Sequence, residues 1–61
     1  MKTYKIRNIY KFPVFVDVGG KQIPSDIKSI PVRAEVTADI ADNIVGKLKA
    51  QFNGKLEFRE V

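Results

Sequence analysis

The stretch Gly19-Gly20-Lys21 contains the Gly-Lys pair of a phosphate-binding loop. In a P-loop the motif G-x-x-x-x-G-K-[ST] runs into a helix, whose N-terminus holds the phosphate. Here Phe15 stands where the first glycine is needed, Gln22 stands where the hydroxyl is needed, and no helical pattern follows the lysine. These residues therefore predict a tight turn with a positive φ at Gly19 or Gly20, and no nucleotide site.

The side chains that could act as acids, bases or nucleophiles form no catalytic arrangement. The chain has no histidine and no cysteine, so imidazole catalysis, thiol chemistry and a structural zinc site are excluded. Asp39 and Asp42 are expected in the first turn of a helix, where carboxylates complement the helix dipole. Ser25 and Ser29 have no histidine to activate them. We therefore expect a non-enzymatic protein with no catalytic residue, cofactor, metal or small-molecule substrate.

Basic side chains are the remaining chemistry, and they are concentrated in the first half of the chain. Residues 1–33 hold seven basic and two acidic residues, whereas residues 34–61 hold four and five, within a net charge of +4. Basic residues interleaved with an exposed aromatic ring on a sheet face are typical of nucleic-acid-binding surfaces. Acidic residues on the same predicted face dilute the pattern, so a solvated face is the simpler interpretation. The residues predicted for a partner or nucleic-acid surface are Lys5, Arg7, Lys11, Phe15 and Arg33.

The length and hydropathy of the chain limit its class. A chain of 61 residues is a single small domain, residues 1–61, with a small core and no disulfide to support it. The first residues lack the apolar run of a signal peptide, and a membrane span would need about 20 apolar residues. We expect a soluble cytoplasmic protein that does not associate with membranes.

Alternation of apolar and polar residues predicts four strands in the first two thirds of the chain. Tyr4 and Ile6 share one side of the first strand, and Val14 and Val16 share one side of the second. If Gly19-Gly20 is a two-residue hairpin loop, Val16 pairs with Ile23 on a short third strand. The predicted strands are residues 2–8, 14–18, 21–23 and 29–36.

A change to helical spacing follows, and a last strand closes the chain. Thr37 has the side chain of an N-cap, and the apolar residues of 38–52 fall on one stripe. Gly46 inside this helix predicts the close approach of another backbone. Asn53-Gly54 predicts a left-handed C-cap, after which residues 55–60 alternate as a strand.

The order β-β-β-β-α-β predicts an α+β fold: a small, mostly antiparallel sheet of four to five strands with one helix, about 38–52, packed on one face. One helix can cover only one face, so the other face is expected to be open and to carry mixed charge. The predicted core is Tyr4, Ile6, Val14, Val16, Ile23, Ile30, Val32, Ala34, Val36, Ile40, Ile44, Val45, Leu48, Phe52, Leu56 and Phe58.

Three short segments carry a resemblance: Ile23-Pro24-Ser25, residues 34–37 (AEVT) and residues 54–61 (GKLEFREV). With them the chain resembles very short proteins encoded among the head and tail genes of phages and Mu-like prophages. That resemblance implies a non-enzymatic virion or assembly component, located in the cytoplasm or in the virion, with no catalytic residues to carry over.

Two functions follow as hypotheses. The first is a small structural or interaction protein, phage-derived if the resemblance holds, that associates with a protein partner or with itself through an edge strand or the open sheet face. The alternative is a small basic nucleic-acid-binding module that uses the N-terminal strands.

Overall fold

A computed structural model describes residues 2–19 and 25–61. Within these ranges the chain forms strands β1 (Lys2–Asn8), β2 (Val14–Asp17), β3 (Ile27–Ile30), β4 (Glu35–Ile40) and β5 (Leu56–Glu60), and helix α1 (Asp42–Gln51) lies between β4 and β5. The predicted α+β class, with one helix before a final strand, is confirmed.

The strands form two antiparallel sheets, so the prediction of a single sheet of four to five strands is wrong. One sheet has the order β4-β1-β5, and β2 pairs with β3 in the other. The predicted strand 29–36 is divided because Ala34 N donates to Pro31 O at 3.0 Å and Arg33 has a φ of 63°. This turn directs the chain from the β2-β3 hairpin into the three-stranded sheet.

The hairpin register also differs from the prediction. Val16 pairs with Lys28, not with Ile23, and Val18 N donates to Asp26 O at 2.9 Å. Pairing with β3 places the fully buried Ile30 opposite Val14. The predicted third strand, 21–23, ended before Pro24 because proline has no N–H to donate to a ladder. It therefore contained no residue that could pair with Val14. Gly19 ends the first described range, whereas Gly20, with which it was predicted to form the turn, and Ile23, with its predicted core position, lie outside the described residues.

Helix α1 begins four residues later than predicted, and Thr37 is not its N-cap. Residues 35–40 are strand β4, which pairs along β1 from Arg7–Glu35 to Lys2–Ile40. The N-cap is Ala41, whose carbonyl oxygen accepts from Ile44 N and Val45 N at 3.1 and 3.3 Å. Ala38 and Ile40 are buried by the alternation of the strand.

The two glycines of this region behave differently. Gly54 has a φ of +83° in the turn after the helix, as predicted for a left-handed cap. At Gly46 an added Cβ would meet no described atom within 4 Å, so the predicted close approach of another backbone is wrong.

Both sheets and the helix contribute to one hydrophobic core. The inner faces carry the predicted alternation, and the helix adds Leu48 as a buried residue, with Ile44, Val45 and Phe52 half-buried around it. Val32 is 40% exposed because it lies in the turn before β4, so its predicted core position is wrong. The buried apolar residues are Tyr4, Ile6, Val14, Val16, Val18, Ile30, Ala38, Ile40, Leu48 and Leu56.

Candidate functional site

Three of the predicted surface residues, Arg7, Lys11 and Arg33, line one groove. Arg7 is near the end of β1, Lys11 is in the loop 9–13 that follows, and Arg33 is in the turn between β3 and β4. The groove encloses about 570 Å³, and no acidic side chain is among the described residues that line it. We call it the basic groove. Its lining is Arg7, Asn8, Ile9, Tyr10, Lys11, Val32 and Arg33.

Asn8 holds the loop that forms one wall of the basic groove. Its side chain is 1% exposed, and its Nδ2 donates to Ile30 O at 2.9 Å and to Phe12 O at 3.0 Å. Its Oδ1 accepts from Tyr10 N at 2.7 Å. A buried amide is stable only when its donors and acceptors are paired, and all three hydrogen bonds meet that need. Through them the side chain connects the loop 9–13 to the end of β3.

The turn that contains Arg33 also lines the basic groove. The φ of 63° places this arginine in the left-handed region, which costs an L-residue with a Cβ about 1–2 kcal/mol. Glycine would adopt that conformation without the penalty. The turn is fixed at its end because Asn8 N donates to Ala34 O at 2.9 Å. The chain therefore carries a guanidinium at a position whose backbone favours glycine.

Aromatic rings and lysines meet at the rim of the basic groove. The rings of Tyr10 and Phe12 pack edge to face with their centroids 5.8 Å apart. Lys11 Nζ lies 5.6 Å from the Phe12 centroid, and Lys55 Nζ lies 5.3 Å from the Tyr10 centroid. Both distances are within cation–π range. Lys55 is next to this loop because Ile9 N donates to its carbonyl oxygen at 2.9 Å.

Lys5 lies elsewhere, on the open face of the three-stranded sheet. There Arg7 is paired with Glu35 on β4 and with Glu57 on β5, so each acidic residue lies directly across from it. A depression of about 400 Å³ on this face has basic and acidic side chains in its lining. Opposite charges across strands offset one another, so the described residues of this face carry no excess charge for a polyanion. Its charged residues are Lys5, Arg7, Arg59, Glu35, Asp39 and Glu57.

Phe15 is in a third place, on the outer face of the β2-β3 hairpin. It is 64% exposed, and its diagonal neighbour on β3, Ile27, is 65% exposed. The five residues predicted as one surface therefore divide among the basic groove, the open sheet face and the hairpin. Arg7 borders both the groove and the open face.

Asp17, on the same side of the hairpin, has a structural role. Its Oδ1 accepts from Gly19 N at 2.9 Å and from Asp26 N at 3.0 Å. These two hydrogen bonds, with a smaller contribution from the Ser25 side chain, hold the pKa of Asp17 below its ordinary value, and desolvation opposes them only in part. The carboxylate thereby connects the two ends of the hairpin loop.

The sequence pattern did not indicate Asn8 or the two apolar residues of the groove, Ile9 and Val32. A signal for Asn8 was present, because it continues the inward-facing series of Tyr4 and Ile6. An amide at an inward position of a strand indicates that it forms hydrogen bonds with specific buried backbone groups. No such signal indicated that the turn 31–34 would face the loop 9–13.

The described residues contain no group of three or more His, Cys, Asp or Glu side chains that could hold a metal ion. In the same part of the chain, no helix is long and apolar enough to cross a membrane. Comparisons with protein-family models, curated proteins and solved structures found no match for the chain. The resemblance to phage proteins stays a prediction, and the geometry of the surface carries the functional argument.

Proposed function

We propose that this protein is a non-enzymatic interaction protein that binds an anionic partner in the basic groove. The observation that carries the proposal is that Lys11 and Arg33 line one concavity, which Arg7 borders from the open sheet face, with no acidic side chain among the described residues of its lining. Guanidinium groups bind phosphate and carboxylate oxygens through paired, charge-assisted hydrogen bonds.

The shape of the site supports the same proposal. A concave surface with low-dielectric walls focuses the field of its charges, so like charges in a groove attract an anion more strongly than the same charges on a flat surface. The groove's volume of about 570 Å³ is within the usual range of ligand sites, so it can hold part of a longer anionic ligand. The open sheet face lacks this property because Arg7 there faces Glu35 and Glu57.

The test uses two charge reversals that change the net charge equally. Arg33→Glu acts in the basic groove, whereas Arg59→Glu acts on the charge-balanced open face. Binding of labelled oligothymidylate and of labelled poly-L-glutamate is measured by fluorescence anisotropy at low and at raised salt. We expect the wild type to bind at least one of them, with an affinity that falls as salt rises. Arg33→Glu is expected to weaken that binding about tenfold or more, and Arg59→Glu much less.

A second variant at the same position separates binding from folding. Arg33→Gly removes the guanidinium and also relieves the positive φ, so we expect it to raise the free energy of unfolding by about 1 kcal/mol while it weakens binding. A weaker binder that is more stable cannot owe its loss to unfolding. The proposal is wrong if no polyanion binds at low salt, or if Arg59→Glu weakens binding as much as Arg33→Glu does.

Docking of a protein partner is a second candidate. The observations that favour it are the exposed apolar side chains of Phe15 and Ile27 on the outer face of the hairpin and the outer edges of β4 and β5, which pair with no described strand. A virion or assembly component of a phage would belong to this class. Sedimentation of the wild type and of Phe15→Ser tests it: self-association that the substitution abolishes would support docking at the hairpin, and a coding sequence flanked by capsid or tail genes would support the phage origin.

A further inference from the structure

We infer that the anionic partner is a single-stranded nucleic acid, whose phosphates bind in the basic groove and whose bases stack on the rings of Tyr10 and Phe12. This inference rests on the proposed function and names the chemical class of its ligand. It assigns a role to the rings of Tyr10 and Phe12 at the rim of the groove, the aromatic rim, which anion binding alone does not require.

The rings are placed where a strand bound in the groove would pass. Tyr10 lines the basic groove itself, and Phe12 packs against it with a centroid distance of 5.8 Å. Phe12 is 57% exposed, and Tyr10 is half-buried and packed against the hydrophobic core. Cationic side chains beside exposed aromatic rings are the combination by which proteins bind single strands, because phosphates take the charges and bases take the rings.

The loop is rigid enough to serve as a platform. The backbone at both rings is held by the buried side chain of Asn8, which accepts from Tyr10 N at 2.7 Å and donates to Phe12 O at 3.0 Å. The ordering of the loop is therefore largely complete before any ligand arrives, and binding loses less conformational entropy.

Lysine ammonium groups lie over both rings, and base stacking is stronger than these cation–π contacts. A cation–π contact at an exposed ring, such as that of Lys11 with Phe12, corresponds to a factor of about two to five in an equilibrium constant. Stacking of a base on an aromatic ring corresponds to a factor of about 5 to 150. A base can therefore displace the ammonium group, and the released lysine remains close enough to pair with a phosphate.

Other polyanions do not use all of these features. In a duplex the base faces are stacked on one another, so the rings would contact no base without strand opening. An acidic peptide would satisfy Arg7, Lys11 and Arg33 but would leave the aromatic rim unused. The single strand is the ligand class that matches both the charges and the rings.

The experiment compares probes that differ only in their bases. Fluorescence anisotropy measures the affinity of the full chain for oligothymidylate, for an abasic oligonucleotide with the same number of phosphates, for a duplex of the same length, and for poly-L-glutamate. We expect oligothymidylate to bind about 5 to 150 times more tightly than the abasic strand. We also expect its binding to quench tyrosine emission, which the abasic strand leaves unchanged, because Tyr10 would stack whereas Tyr4 is buried.

Phe12→Ala tests the role of the ring, and Phe15→Ala is its matched control because Phe15 has a similar exposure, 64% against 57%, but lies on the hairpin. We expect Phe12→Ala to weaken oligothymidylate binding about 5- to 150-fold and to leave abasic binding unchanged. Phe15→Ala is expected to change neither. Thermal unfolding of each variant, followed by circular dichroism, establishes that it is folded, and the tyrosine readout on the wild type does not depend on any substitution.

The outcomes separate this inference from the proposed function. If the abasic strand, the duplex or poly-L-glutamate binds as tightly as oligothymidylate, and Phe12→Ala binds like the wild type, the single-strand inference is overturned while the basic groove remains an anion site. If no probe binds even at low salt, both are overturned.

Discussion

Replacing Asn8 with aspartate exchanges two N–H donors for an oxygen without changing the size of the side chain. In the wild type those donors bind Ile30 O and Phe12 O, and the side chain is 1% exposed. In the Asn8→Asp variant an ionised carboxylate would face two carbonyl oxygens with little water to separate them. We therefore expect the variant to be strongly destabilised at neutral pH.

The size of the effect follows from the burial of the three hydrogen bonds. An uncompensated buried charge costs about 3–5 kcal/mol. A domain of 61 residues is typically stable by about 0.05–0.15 kcal/mol per residue, which amounts to about 3–9 kcal/mol in total. The substitution would thus remove a large part of the stability of the protein, and the loop that carries Tyr10 and Lys11 would lose its anchor.

The effect is expected to depend on pH. Burial and the two facing carbonyl groups raise the pKa of the introduced carboxyl in the folded state above its value of about 3.9 in the unfolded chain. Below that value the carboxyl is protonated in both states and can donate one hydrogen bond, so part of the stability returns. As pH rises through the folded-state pKa, this stability is lost.

Urea unfolding followed by far-ultraviolet circular dichroism measures the difference between variant and wild type at neutral pH and at about pH 3. Asn43→Asp is the matched control, since Asn43 is exposed in the first turn of α1 and its change is expected to stay within about 0.5 kcal/mol. The reasoning is refuted if Asn8→Asp is as stable as Asn43→Asp at neutral pH, or if its deficit does not shrink in acid.

Two further substitutions test the local structure. Gly46→Ala is expected to raise the free energy of unfolding by about 1 kcal/mol, because the added methyl group meets no described atom within 4 Å. Gly54→Ala is expected to lower it, because Gly54 has a φ of +83°. Equal effects of the two substitutions in denaturant titrations would contradict this. Asp17→Asn is expected to reduce stability at neutral pH, because the lowered pKa of Asp17 means that its ionised form stabilises the fold, and this contribution is lost as pH falls through the folded-state pKa. Thermal unfolding at a series of pH values should therefore show the two proteins converging in acid, and a constant difference would exclude the mechanism.

Much of the fold could be predicted because alternation determines which side chains of a strand share a face. Tyr4 and Ile6 are buried on one side of β1, and Val14 and Val16 on one side of β2, as their spacing predicts. Gly54 adopts a positive φ, as a glycine after a helix predicts. The absence of cysteine and histidine also limits the side-chain chemistry of the protein.

The candidate site could be predicted only in part. Arg7, Lys11 and Arg33 were expected on a common surface, and they share the basic groove, but Lys5 and Phe15 are on other surfaces. Phe15 is apart because β2 belongs to the second sheet, and Lys5 is apart because it lies in the middle of β1, away from the loop at the end of that strand. A local pattern of residues contains no information about the division of the strands into two sheets.

The inward and outward residues within each segment follow from the residue pattern alone, because the period of a strand or helix is a local property. Which segments pair is decided by the tertiary structure. Residues 37–40 satisfy the spacing of both a helix and a strand, and pairing with β1 selects the strand. The turn at Arg33 likewise requires a positive φ that an arginine does not favour locally. It forms because both neighbouring strands are held by their partners, and only then do the basic residues of distant segments come together in one groove.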